Sequence, residues 1–117
     1  MSLFDSPAAR PSPAGYKDIS PADVSLPAQG VRLVDVREPH EYAGELGHVP
    51  GSELVPMQSV LAHAAGWDRD AALLLICRSG GRSGSVAQAL QRAGFTRVMN
   101  LAGGMLAWNA AGLPVER

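Results

Sequence analysis

One cysteine stands in 117 residues, beside only two tryptophans, two tyrosines and two phenylalanines. A single thiol excludes an internal disulfide and any cysteine-cluster metal site. His40, His48 and His63 are isolated from one another, so no histidine pair lies at ligand spacing and no metal is expected. An excess of either charge is missing too. Ten basic residues face eleven acidic ones for a formal net charge of −1, which implies neither nucleic acid nor an acidic membrane surface as a partner. No apolar run approaches a membrane span, and the opening MSLFDSPAARPSPAG lacks a signal-peptide core. The expected setting is cytoplasmic, where a thiol stays reduced.

What is present gathers around that cysteine. The apolar run Ala72-Leu73-Leu74-Leu75-Ile76 leads into Cys77-Arg78-Ser79-Gly80-Gly81-Arg82-Ser83, and a helical pattern runs out of it through Val86, Ala87, Leu90 and Ala93. The cysteine therefore sits where a buried strand ends and a helix begins. Gly80 and Gly81 are expected to adopt backbone conformations closed to other residues, so that successive N–H groups turn inward as an anion nest. The first turn of the helix adds unpaired N–H groups and the positive end of its dipole. Two arginines add full charges. These effects favour thiolate over a thiol whose free pKa is ~8.5. Arg78 reads as a charge that meets substrate. Arg82 reads equally as a substrate contact or as an ion pair with the acidic cluster Asp35, Glu38 and Glu41. Ser83 reads first as a helix N-cap, with a hydroxyl contact to the sulfur as a second role.

The length and the 46% apolar content fit one globular domain. Residues 1–14, with Pro7, Pro11 and Pro13, read as a flexible arm, and residues 15–117 as the domain. Strands are expected near Tyr16–Ile19, Val31–Val36, Glu53–Val55, Ala72–Ile76 and Phe95–Leu101, with helices near Pro39–Ala43, after Pro56, from Ser83, and over Met105–Ala111. Alternating strands and helices give an α/β fold with one parallel sheet covered on both faces. Asp35, Arg37 and Glu38 end a strand in the crevice where α/β proteins hold ligands; they read as a supporting hydrogen-bonded loop, with Asp35 able to brace the Cys77 loop. His48 reads as a turn residue, Trp67 as a lid over the core, and Trp108 as core. Met105 reads as core or as a wall of the sulfur pocket.

Five segments in order resemble the single-domain rhodaneses: Asp-Val-Arg-Glu at 35–38, Glu-Tyr at 41–42, Gly-His-Val-Pro-Gly-Ser at 47–52, the loop at 77–83, and Gly-Gly-Met-Leu-Ala-Trp with Ala-Gly-Leu-Pro-Val at 103–108 and 111–115. The resemblance runs from about Tyr16 to the C-terminus. It implies a five-stranded parallel sheet, with Cys77 as the catalytic nucleophile and residues 78–83 binding substrate. The implied reaction takes a sulfane sulfur from thiosulfate and passes it, through a Cys77 persulfide, to cyanide, a thiol or a protein cysteine. No cofactor or metal is implied. A persulfide carrier and a non-catalytic docking module are the alternatives. A related phosphatase branch separates its Cys and Arg by five residues; here four separate Cys77 from Arg82, a tighter ring suited to one sulfur.

Overall fold

A computed structural model describes residues 2–117. Its centre is β5, Ala72–Ile76, every residue of which is buried. Parallel neighbours flank it on both sides, β3 (Val31–Asp35) and β6 (Arg97–Leu101). Leu73 and Leu75 enter one apolar cluster with Val34, Val98 and Leu90, while Leu74 and Ile76 enter another with Leu33, Met99 and Trp108. Strand alternation thus divides a continuous apolar run between two cores, as a sheet covered on both faces requires. Each fully buried aliphatic side chain contributes about 1.5–3 kcal/mol, which fixes β5 in the middle and its carboxyl end at the centre of the sheet's rim.

The full order is β1-β2-β6-β5-β3-β4, with β1 at Arg10–Pro11, β2 at Lys17–Ile19 and β4 at Glu53–Leu54. All pairs are parallel except β1 with β2. The five parallel strands expected from the sequence are present, and the sixth makes the sheet mixed. Helices α1 (Pro39–Tyr42), α2 (Val60–Ala64), α3 (Gly81–Arg92) and α4 (Gly104–Ala110) complete the fold. Residues of α2 and α3 cover one face, and Met105 and Trp108 of α4 cover the other.

The extra strand comes from the segment that reads as a flexible arm. Met1 lies outside the described residues, but residues 2–14 are docked on the sheet edge. Ala9 is buried, Asp5 pairs with Arg97 at 3.0 Å, and Lys17 Nζ lies 4.1 Å from the Phe4 ring centroid. Proline cannot donate to a ladder, and at an edge it need not. The prolines mark an irregular chain, while Leu3, Phe4 and Ala9 supply the apolar contacts that hold it. Among the described residues, no helix is long and apolar enough to cross a membrane.

Candidate active site

The carboxyl end of β5 delivers Cys77 to a turn held from two sides. On one side, Gly80 takes φ of 101° as the N-cap of α3, a left-handed conformation that favours glycine. This aims the Gly80 N–H at the sulfur, with N···Sγ at 3.0 Å. Gly81 differs from the expectation: it is the first helical residue, and a Cβ there would meet nothing within 4 Å. Only one of the two adjacent glycines is needed for the turn.

On the other side, α4 begins against the loop. Its N–H groups at Met105 and Leu106 donate to the carbonyls of Cys77 and Arg78, at 2.9 and 3.0 Å. Gly104 makes this approach possible. Its φ is +57°, and a Cβ would overlap the Cys77 carbonyl oxygen and sit 2.6 Å from Arg78 C and O. Gly104→Ala is therefore expected to cost at least the ~1–3 kcal/mol of a strained backbone, with overlap added, and to displace the loop. Thermal unfolding checks this; an unchanged midpoint contradicts it.

Ser83 is not the N-cap, because α3 starts two residues before it. It is fully buried at the third helical position, with Oγ 3.2 Å from Cys77 Sγ and 2.5 Å from Asn100 Oδ1. Cys77 itself is 1% exposed. Burial pushes its thiol pKa up. Hydrogen bonds from the Ser83 hydroxyl and from the N–H groups of Ser83, Gly80 and Ser79 more than offset this, so the net shift is downward.

The acidic cluster divides its work. Asp35 and Arg37 form a buried pair: Arg37 donates from NH2 at 2.7 Å, from Nε at 2.9 Å and from its backbone N at 3.1 Å. The same guanidinium donates to the carbonyls of Glu41 and Gly47, at 3.2 and 2.8 Å, and so ties the loop after α1 to the sheet. Asp35 has no side-chain hydrogen bond to the Cys77 loop among the described residues, so it does not brace that loop in the way expected, because Arg37 takes its carboxylate. Glu38 caps α1, its N–H donating to Glu41 Oε2 at 3.0 Å.

Glu41 takes Arg82 in a two-pronged grip, NH2 to Oε1 at 2.7 Å and NH1 to Oε2 at 2.8 Å. The Arg82 guanidinium, aided by the Glu38 N–H and opposed by burial, holds the Glu41 carboxyl at about 2. Of the two arginines, Arg82 is thus an ion-pair partner in this structure. Arg78 is exposed and has no ion-pair partner among the described residues. It lines a cleft of about 350 Å³ together with Arg37, His40, Glu41, Gly44, Glu45 and Leu46.

The remaining residues singled out from the sequence resolve plainly. His48 is a turn residue, its ring stacked on Tyr42 with centroids 3.6 Å apart and Nδ1 2.8 Å from the Tyr42 carbonyl. Trp67 packs partly buried against the core, edge-on to Phe95. Trp108 is buried, with Nε1 donating to the Pro114 carbonyl at 2.8 Å. Met105 packs in the cluster on the opposite face from Cys77, so it does not wall the sulfur pocket. Sequence reasoning passes over Asn100. Its signal is a lone amide in the otherwise apolar run Val98-Met99-Asn100-Leu101, a buried polar group that must find partners.

The family model described as Rhodanese-like domain matches residues 20–111. An uncharacterized protein from Synechocystis is 39% identical over 74% of this chain, and the match spans about half (48%) of that relative's length. A protein named sulfurtransferase from Allochromatium vinosum is 37% identical over 74% of this chain and 79% of its own. The thiosulfate sulfurtransferase GlpE of Pseudomonas paraeruginosa is 35% identical over 81% of this chain and 86% of its own. The crystal structure of a rhodanese-related protein from Thermoplasma volcanium superposes with a TM-score of 0.76 at 28% identity, covering 86% of this chain and 98% of that one. With a parallel sheet ending in a cysteine-bearing amide loop, and matches across most of its length, the chain belongs to the rhodanese-like domain family, among relatives named as sulfurtransferases.

Proposed function

We propose that this protein is a sulfurtransferase that moves the outer sulfur of thiosulfate to a thiophilic acceptor through a persulfide on Cys77. The observation that carries this reading is the buried Cys77 sulfur, hydrogen-bonded by the Gly80 N–H at 3.0 Å, under a loop that bears an exposed arginine with no ion-pair partner among the described residues. The Cys77 thiolate attacks the outer sulfur of thiosulfate. A Cys77 S–S bond forms, the bond to the sulfonate breaks, and its electron pair leaves with sulfite. The acceptor, cyanide or a small or protein thiolate, then attacks the outer persulfide sulfur and carries it away, returning Cys77 as thiolate. This is two-step covalent catalysis with no net oxidation. The loop amides stabilise negative charge on sulfur in both states, at no cost in reorganisation.

Arg78 is assigned to the sulfonate end of the donor. Arg82 is left out of that role because it grips Glu41. The same grip disfavours phosphate transfer, since a phosphate-binding loop needs its arginine free. Arg78→Ala is expected to raise the KM for thiosulfate about tenfold, the lower end for a lost charged hydrogen bond, while changing activity with an uncharged sulfur donor far less. Steady-state kinetics with both donors checks this; an unchanged preference removes Arg78 from the substrate role. The reading as a whole is tested by thiocyanate formation from thiosulfate and cyanide. Ping-pong kinetics are expected, and thiocyanate no faster than the protein-free rate contradicts it.

A further inference from the structure

Ser83 has one hydroxyl proton and two neighbours that want it. Asn100 Oδ1 lies 2.5 Å from Ser83 Oγ, and Cys77 Sγ lies 3.2 Å away. The orientation of the Asn100 amide is fixed by its other contacts. Its Nδ2 donates to Asp18 Oδ1 at 3.2 Å and to the Gly80 carbonyl at 3.3 Å. Turning the amide over would set Oδ1 against two acceptors, so Oδ1 faces Ser83. A carbonyl oxygen has no proton to give. Asn100 therefore accepts from the Ser83 hydroxyl, and whenever it does so the Ser83 lone pairs face the sulfur.

We propose that Asn100 is a positioning residue that controls the ionisation of Cys77 by competing with its sulfur for the single hydroxyl proton of Ser83. While Cys77 is a thiol, its S–H donates to Ser83 Oγ and the Ser83 O–H stays directed at Asn100 Oδ1. When Cys77 ionises, the Ser83 proton swings to the sulfur and the Asn100 carbonyl is left facing a lone pair. Both Ser83 and Asn100 are almost wholly buried, at 0% and 5% exposed, so water does not readily replace the lost contact and its loss is felt in full. The hydroxyl helps the thiolate, and Asn100 taxes that help. The result leaves the Cys77 thiol less acidic than the loop with an unopposed Ser83 hydroxyl would, which keeps its intrinsic reactivity up, because thiolate nucleophilicity falls as pKa falls.

The charged and titratable groups around Cys77 are few. Arg78 lies on its own loop; Arg82 in the first turn of α3 is neutralised by Glu41 from α1; Asp35 from β3 is paired with Arg37; Asp18 of β2 lies beyond Asn100; and the Tyr16 hydroxyl lies at Gly84. Helix α4, which caps the loop, carries no ionisable side chain. None of these groups supplies or removes the Ser83 proton.

The test is the pH dependence of Cys77 alkylation by iodoacetamide in the full chain, for the wild type, Asn100→Leu, Ser83→Ala and the double variant. Asn100→Leu is expected to lower the midpoint by about one pH unit, the scale of one charge-assisted hydrogen bond. It should also lower the high-pH plateau about threefold, as a weaker nucleophile requires. In the Ser83→Ala background the same substitution should leave the midpoint in place. A midpoint that stays or rises in Asn100→Leu overturns the proposal. So does an equal shift without Ser83, which would assign the effect to Asp18 or to the Gly80 turn. Should Asn100→Leu fail to fold, proton NMR of the wild type decides. A slowly exchanging Ser83 hydroxyl resonance is expected to move as Cys77 titrates, and one that ignores that titration overturns the idea. The inference concerns the thiol alone, so it stands or falls separately from thiosulfate as donor.

Discussion

Cys77→Ser is expected to reduce thiosulfate-to-cyanide transfer by on the order of 10³-fold or more, as loss of a covalent nucleophile does. Serine keeps nearly the same shape, and the loop contacts at Gly80 and Ser83 have an oxygen to meet in place of sulfur. Binding and fold are therefore expected to survive. What is lost is ionisation: an amide loop that lowers the pKa of a thiol still leaves an alcohol far from ionised near neutral pH. A neutral hydroxyl does not displace sulfite from sulfur. Circular dichroism and thermal unfolding should match the wild type while the rate collapses. Equal transfer by the two proteins would end the sulfurtransferase reading.

The second large effect is on stability. Arg37→Met is expected to destabilise the protein by about 3–5 kcal/mol, because it strands the Asp35 carboxylate, which has no exposure to water. Asp35 loses two of its three donors from Arg37, and the carbonyls of Glu41 and Gly47 lose theirs. At about 4 °C or more per kcal/mol for a domain of this size, the unfolding midpoint falls by over 10 °C. Adding Asp35→Leu to Arg37→Met should recover part of the loss, since removing both members of a buried pair is far cheaper than removing one. The Gly47 carbonyl is left without its donor, while that of Glu41 keeps the Gly44 N–H, so recovery is incomplete. If the double variant is no more stable than the single one, the buried pair is not the source of the loss.

That pair shows how far the sequence is legible and where it stops. Strand β5 and the Cys77 turn stand out because a wholly apolar run that ends in cysteine, Gly-Gly and two arginines fits a buried strand feeding an anion-binding turn and little else. The acidic cluster is visible as a set, but its allocation is not: Asp35 goes to Arg37, Glu38 to the cap of α1, and Glu41 to Arg82 across 41 positions. Sequence spacing carries no information about such a pairing until the topology sets β3 beside β5. Ser83 looks like a cap because it follows a glycine pair, whereas the left-handed Gly80 takes the capping position and moves Ser83 inside the helix. The edge strand β1 is hidden for a similar reason, since the three prolines at 7, 11 and 13 mask the anchoring role of Leu3, Phe4 and Ala9. Gly104 and Asn100 act by contact with a loop about 20 residues or more before them, which only the folded chain reveals.

The central claim is that sulfur comes to rest on Cys77. Intact-mass measurement after treating the reduced protein with thiosulfate tests it directly, with peptide mapping to locate the change. The account predicts a gain of one sulfur atom, confined to the peptide bearing Cys77 and removed by cyanide. An unchanged mass, with the protein folded and the thiol free, would contradict it.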